Sequence, residues 1–225
     1  LQDRVLERLL QEEKVGFITL ADKEGNVLTR AHALSKRGDS IALSRVFEEV
    51  TAFNNFVTIE TDSVEKLSIR AGAPILLGTN VEAVLVVGYP LDNAMVDGIK
   101  KITGLEMFVY DRDHSVAATA LTKDGRTRIV NVPVNDPVLK KEVLDLGEPA
   151  TLRVQMVGQS YLASFLPIYN ADQKIIGMIS AAKSEQDILD IANATNRLTL
   201  ITVIIIMLCL AWPIYAFTKR LSTEV

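Results

Sequence analysis

Cysteine is almost absent from this chain of 225 residues, and the single one, Cys209, lies in an apolar segment near the C-terminus. One cysteine excludes a disulfide framework. Histidine is nearly as scarce, and neither His32 nor His114 has the neighbours that a metal site requires. Basic residues do not exceed acidic ones, with 24 against 28, so nucleic acid is not expected as a partner.

Signals of catalysis are lacking as well. The two histidines fall in different parts of the chain, and no serine or cysteine nucleophile lies at a strained turn beside them. A glycine-rich phosphate loop is also missing. We therefore predict that this part of the protein is not an enzyme and has no catalytic residues, no metal and no cofactor. A membrane-anchored hydrolase is left as a distant third interpretation.

A long uncharged segment, residues 198–217, dominates what is present. A helix of this length spans roughly 30 Å, the thickness of a bilayer core. Trp212 and Tyr215 lie near one end, where aromatic rings favour the headgroup level. The segment predicts a transmembrane helix, and a buried core helix is the alternative.

Basic residues suggest the orientation of this helix. Lys219 and Arg220 follow it directly, and the positive-inside rule then favours a cytoplasmic tail. We expect a protein of the inner or cell membrane with residues 1–197 outside the cytoplasm. Because the chain begins at a leucine, we also expect an earlier anchor upstream of residue 1.

The segment before this helix reads as two copies of one pattern, about 90 residues apart. Each copy has an apolar strand ending in aspartate, a turn, a second strand and later a run of further strands. Asp22 matches Asp111, and residues 73–75 match residues 166–168. A helix at 92–103, with Asp92 as N-cap and Gly104 at its end, joins the copies. The predicted fold class is α+β, with two antiparallel sheets and flanking helices.

This layout resembles the double Cache module, a PAS-like extracytoplasmic sensor of bacterial receptors such as two-component sensor histidine kinases. The resemblance covers nearly all of residues 1–190. It rests on four stretches of the chain: residues 22–32, residues 67–75, Gly88 with Tyr89, and residues 161–168 with 176–178. Residues 212–221 resemble a membrane exit into a HAMP linker.

The resemblance implies a division of the chain into six parts. They are the end of a long N-terminal helix (1–13), a membrane-distal Cache subdomain (14–91), a membrane-proximal Cache subdomain (92–184), a connecting helix (185–197), the transmembrane helix (198–217) and the start of a HAMP or cytoplasmic linker (218–225). The N-terminal helix would bury a stripe of Leu1, Val5, Leu9 and Leu10. A HAMP linker needs partner helices, so we expect a homodimer.

Candidate ligand-binding residues lie in the first copy. Arg30 and His32 are two apart on a predicted strand, as are Ser68 and Arg70 on another, so each pair shares one face. If the two strands are neighbours, these four side chains converge on an anion, since arginine suits bidentate carboxylate recognition. The alternative is that Arg30 and Arg70 form ion pairs with Asp39, Glu60 or Asp62. In the second copy, Tyr110, Thr119 and Tyr161 could face a ligand, but an aromatic core is favoured.

The leading functional prediction is the sensory and transmembrane region of a receptor. It would bind a small anionic ligand, a carboxylate or an amino acid, and transmit a shift through the bilayer to a cytoplasmic kinase, chemoreceptor or cyclase domain. The alternative is a membrane-anchored protein-interaction module without a small-molecule ligand. A concave face open at Arg30 and Arg70 would favour the sensor, and arginines neutralised by carboxylates would favour the interaction module.

Overall fold

A computed structural model describes residues 2–186 and 199–207 of the chain. Its helices are α1 (Gln2–Glu13), α2 (Arg45–Thr51), α3 (Asn93–Thr103) and α4 (Pro137–Leu139), and α4 continues as a π-helix over Lys140–Asp145. Its strands are β1 (Phe17–Asp22), β2 (Val27–Arg30), β3 (Phe56–Glu60), β4 (Ser68–Leu77), β5 (Asn80–Pro90), β6 (Glu106–Asp111), β7 (His114–Ala118), β8 (Ala150–Met156), β9 (Gln159–Tyr169) and β10 (Ile175–Ser184).

The strands form two five-stranded sheets with the same order. The first sheet runs β2-β1-β5-β4-β3 and the second runs β7-β6-β10-β9-β8, and the pairs of neighbouring strands are antiparallel. Even an irregularity recurs, because the register shifts after Leu20 in the first sheet and after Val109 in the second. The predicted α+β class with two antiparallel sheets and flanking helices is confirmed. The predicted domain bounds stay a prediction.

The chain divides into two compact units. The first comprises Leu1–Leu152 and Ala163–Ala182 and contains the first sheet with α1 to α4 and most of the second sheet. The second comprises Arg153–Leu162 and Lys183–Val225. Its described part includes the tip of the β8–β9 hairpin, where Arg153 Nε lies 2.5 Å from Glu185 Oε1, and a helical stretch at 199–207.

Within residues 2–186, three apolar clusters contribute to the core of the first unit. One lies between α2 and the first sheet and includes Phe17, Val46 and Val86. A second joins Leu67 to α3 and the second sheet. The third packs α1 on the first sheet, and here the predicted stripe was wrong in part, because Leu6 is 7% exposed whereas Val5 is 52% exposed. Leu9 and Leu10 do pack there.

Helix ends follow their local signals. Asp92 accepts a hydrogen bond from the amide of Met95, and Gly104 ends α3 with a φ of 70°, as the sequence predicted. Helix α2 ends at Thr51, and α4 turns into the π-helix after Leu139. Strand β3 was not anticipated.

The predicted membrane segment lies largely outside the described residues. Residues 199–207 are helical with every side chain exposed, while 198 and 208–217, most of the connecting helix and the linker at 218–225 are not described. Within the described part of the chain, no helix is both long enough and apolar enough to cross a membrane.

Candidate functional site

Arg30 is the last residue of β2, and its side chain is 1% exposed. The strand was predicted to continue to His32, which was wrong, because the chain turns at residue 31. Arg30 and His32 are therefore not on one face of a strand.

The guanidinium of Arg30 is held by two carboxylates. Its Nη1 and Nη2 donate to Asp39 at 2.6 and 2.9 Å, and its Nε donates to Glu65 at 2.8 Å. Nη1 also donates to the carbonyl of Lys36, so Arg30 fixes the loop that carries Asp39. The hydrogen bonds from Arg30 hold the pKa of Asp39 below its usual value.

Arg70 lies on the inner face of β4 and is 4% exposed. Its Nε donates to Ser68 Oγ at 2.9 Å, and its Nη2 lies 2.6 Å from Asp62 Oδ2. Ser68 and Arg70 share one buried face, as predicted. The guanidinium also lies 6.0 Å from the centre of the Phe17 ring. Gly88, opposite Arg70 on β5, leaves room for that ring, since a Cβ there would come 2.6 Å from Phe17 Cζ.

Strand order separates the two arginines. Strands β1 and β5 lie between β2 and β4, so the condition that these strands be neighbours is not met. The ion pairs of the alternative interpretation are present, because Arg30 pairs with Asp39 and Arg70 pairs with Asp62 and, more loosely, Glu60. Whether the four predicted residues bind a ligand stays a prediction.

Glu65 is the residue that the sequence analysis missed. It lies in the loop between β3 and β4, its side chain is 4% exposed, and its Oε1 contacts Arg30. Burial would raise the pKa of Glu65, but contacts with His32, Asp62 and Arg30 outweigh it and lower the pKa far below its usual value. A lone glutamate in a polar loop gives no local signal of burial. The sequence indicated only that Arg30 and Arg70 could need acidic partners, and it did not indicate Glu65.

Both arginines line a cavity of about 390 Å³. Its other charged lining residues are Asp39, Arg45, Glu60, Asp62 and Asp172. The acidic side chains thus outnumber the basic ones by one, four to three. A cavity of this size, with several polar groups converging on it, can hold a small metabolite.

His32 lies on a different cavity. This second cavity, of about 300 Å³, is lined by His32, Glu65, Lys66 and Asp92 together with apolar side chains that include Phe17 and Leu91. Nε2 of His32 is 3.4 Å from Glu65 Oε1, yet both ring nitrogens are buried without a hydrogen-bond partner. Arg30 and Arg70 thus line one cavity and His32 lines another, while Ser68 is not among the lining residues of either.

The candidate residues of the second sheet fit a structural role better. Tyr110 contacts the rings of Phe108 and Phe165 at 6.3 and 6.5 Å, and burial raises the pKa of Tyr110 to about 12. Thr119 binds within the fold, since its hydroxyl donates to Glu106 and accepts from the amide of Met107. Tyr161 is partly exposed near the tip of the β8–β9 hairpin.

No cluster of three or more His, Cys, Asp or Glu side chains suited to a metal ion occurs among residues 2–186 and 199–207.

A family model described as Single cache domain 3 matches residues 89–195. This stretch contains α3 and the whole second sheet. The second half of the chain is thus similar in sequence to a Cache sensor domain. For the first half, and so for a double module, the similarity stays a prediction.

Solved structures with a similar arrangement include bacterial sensor domains. The ligand-binding domain of the Campylobacter jejuni chemoreceptor Tlp3, in complex with 4-methylisoleucine, is 17% identical over 81% of this chain and 70% of that one, with a TM-score of 0.46. The sensor domain of the V. cholerae histidine kinase DctB is 12% identical over 81% and 77%, with a TM-score of 0.49.

An extracellular ligand binding receptor from Desulfohalobium retbaense is 12% identical over 80% of this chain, with a TM-score of 0.49, and the chain spans only 32% of that receptor. A comparison with curated proteins found no match.

Proposed function

We propose that this chain is the extracytoplasmic sensory and transmembrane region of a bacterial receptor, and that its 390 Å³ cavity binds a small ligand through a carboxylate. The observation that carries the proposal is this cavity, lined by the buried Arg30 and Arg70, in a chain whose second half matches a Cache domain. Such a module binds a ligand and catalyses no reaction.

Arg70 is the proposed direct contact. Its Nη1 makes no hydrogen bond within the described chain, whereas Ser68 and Asp62 hold the other two nitrogens. Ser68 then orients Arg70, Arg30 anchors the loop at Asp39 beside the cavity, and His32 acts on the site through Glu65. A ligand that binds these groups more tightly in one of two arrangements of the module shifts the equilibrium toward that arrangement.

Transmission would run through residues 185–197 into a membrane helix at 198–217. The described part of that helix exposes Ile201, Ile204 and Ile205, all about half exposed, and a bilayer would cover such side chains. The proposed receptor is a homodimer with its C-terminal tail in the cytoplasm. Cross-linking of Val5→Cys across the dimer in intact membranes, in a Cys209→Ser background, tests this. Absence of cross-links at Val5 and at other exposed α1 positions would contradict it.

Ligand binding is tested by calorimetric titration of the full chain, purified in detergent, with a panel of small organic acids and amino acids. Arg70→Ala should weaken binding roughly 30-fold or more, because a charge-assisted contact is lost. Arg70→Lys should not restore it, since an ammonium lacks the planar guanidinium fork. Arg126→Ala, at an exposed position, is the matched control and should bind as the wild type does. Wild-type affinity in Arg70→Ala would contradict the proposal.

A second candidate is a membrane-anchored interaction module without a small-molecule ligand. One observation favours it: carboxylates neutralise both buried arginines. This candidate predicts that no compound of the panel binds, and that Arg70→Ala lowers stability with nothing else changed.

A further inference from the structure

Glu60 and Arg70 form an ion pair whose charged atoms are too far apart for a hydrogen bond. Glu60 Oε2 lies 3.8 Å from Arg70 Nη1. A hydrogen bond between a guanidinium and a carboxylate is normally about 2.7–2.9 Å long, so this gap is about 1 Å too wide. Both side chains are nearly buried, at 12% and 5% exposure, so bulk water compensates little for the missing contact.

The other atoms of the two groups are already occupied. Glu60 Oε1 accepts a hydrogen bond from the amide of Val46 at 3.1 Å, which fixes the carboxylate against α2. On Arg70, Nε is bound to Ser68, and Nη2 is bound to Asp62 and to the carbonyl of Lys66. The amide of Arg45 also contributes a hydrogen bond to the Glu60 carboxylate. Nη1 keeps an unused donor, and Oε2, 3.8 Å from it, keeps acceptor capacity, because an ionised carboxylate offers about four lone-pair sites.

Both residues line the 390 Å³ cavity. A bare carboxylate placed there satisfies Arg70 but brings a further negative charge beside Glu60, which already lies near Asp62. A carboxylate with a hydroxyl or an ammonium group on the next carbon satisfies both, because the oxygen accepts from Nη1 while the donor reaches Oε2. Like charges repel when no donor lies between them, so the cavity should select carboxylates that carry such a donor.

Resting on the proposed function, we propose that Glu60 is a specificity-determining residue of this cavity. It restricts the cavity to carboxylates that present a hydrogen-bond donor next to the carboxylate. Burial raises the pKa of Glu60, as expected for an acid whose charge is only partly compensated.

A purely structural role for Glu60 makes a different prediction. If the carboxylate serves only to bind the amide of Val46, then Glu60→Gln keeps that role, because the amide oxygen still accepts. The same variant removes the charge and places an NH₂ group near Arg70 Nη1. The new NH₂ group and Arg70 Nη1 would then be two donors side by side, an arrangement that favours a bare carboxylate. The order of ligand affinities should therefore change only if Glu60 contacts the ligand.

The experiment titrates the full chain in detergent with two isosteric series. One is butanoate, 2-hydroxybutanoate and 2-aminobutanoate, and the other is succinate, malate and aspartate. In the wild type we expect the hydroxy or amino member to bind at least about tenfold more tightly than the plain acid, because sites built for a ligand donor discriminate strongly against its loss. A comparison of the affinities of the hydroxy acid and the amino acid in each series shows whether a hydroxyl or an ammonium group is the preferred donor.

In Glu60→Gln the preference should disappear or reverse. Glu82→Gln, an exposed glutamate on β5, is the matched control and should keep the wild-type order. Equal affinity for the plain and substituted acids in the wild type, or an unchanged order in Glu60→Gln, overturns the role of Glu60 and leaves the proposed function standing. Failure of every compound to bind the wild type overturns both.

Discussion

The two sheets share one strand order and differ in what fills their interiors. In the first sheet Thr19 pairs with Arg30, and at the corresponding place in the second sheet Phe108 pairs with Ala118. When residues 73–75 are aligned with residues 166–168, Arg70 corresponds to Ala163, which is 1% exposed. Two buried arginines in one sheet thus stand where the other has two buried alanines.

This difference shows that the fold alone does not make a binding site. The second sheet closes its interior with Phe108, Tyr110 and Phe165. The first sheet keeps charged groups inside, and each buried charge needs a partner in space. Those partners come from the two long loops, at Asp39 and Glu65, and the 390 Å³ cavity lies beside them.

The largest effect is expected from removing Arg30. Arg30→Ala leaves Glu65 buried without its ion partner, so it should lower the free energy of unfolding by about 3–5 kcal/mol. Urea unfolding followed by circular dichroism measures this.

An exposed ion pair outside the strands of both sheets supplies the comparison. Arg128 makes a bidentate pair with Asp97, but the two side chains are 31% and 48% exposed. Arg128→Ala should cost only about 1 kcal/mol or less, as exposed pairs usually do. Equal losses in the two variants would show that the buried network of the first sheet is not special.

The loss of folding stability at low pH should arise mainly from carboxylates that pair with the first sheet. The folded-state pKa values of Glu65 and Asp39 are lowered from 4.5 and 3.8, so both carboxylates contribute stability above those values and lose it as the pH falls through the lowered ones. The contribution of Glu60 to the pH dependence of stability has the opposite sign. Its pKa is raised, so protonation at low pH removes a buried charge and stabilises the fold. Asp39 is 47% exposed, so solvent screens its ion pair and the buried Glu65 carries most of the effect. The net loss below about pH 4 should be on the order of 1–3 kcal/mol.

Unfolding curves at a series of pH values, with wild type and Glu65→Gln in parallel, measure this loss. The acid-induced loss should be smaller in Glu65→Gln, because one of the titrating groups is gone. An identical pH profile in the two proteins would argue against Glu65 as a titrating, ion-paired carboxylate.

A similarly small effect is expected in the second sheet. Tyr110→Phe removes a buried hydroxyl that contacts Ser180, and it should cost about 0.5–1.5 kcal/mol of stability. Ligand affinity in the organic-acid titration should not change, since Tyr110 belongs to an aromatic core. A loss of affinity without a loss of stability would show that the second sheet also takes part in binding.

Much of the fold was predictable because its signals are local. Asp92 and Gly104 marked α3 through their own capping chemistry, and apolar strands ending in Asp22 and Asp111 revealed the repeat. Strand β3 was missed, since its apolar residues Phe56, Val57 and Ile59 form only a short run flanked by polar residues. The N-terminal stripe was misassigned by one residue, because helical spacing alone fits Val5 and Leu6 almost equally well.

The candidate site was predictable only in part. Alternation along β4 correctly placed Ser68 and Arg70 on one buried face. It could not show that β1 and β5 separate Arg70 from Arg30, that the chain turns before His32, or that Glu65 folds back onto Arg30 from 35 positions away.

By itself, the sequence determined most of the elements, their repetition and the apolar segment at 198–217, because backbone propensity, capping and hydrophobic spacing act between near neighbours in the chain. The tertiary structure decided strand order, the partners of the two buried arginines and the separation of His32 from the cavity that Arg30 and Arg70 line. Coulomb and hydrogen-bond interactions depend on distances in space, and loops of many residues bring charges together that no local pattern connects.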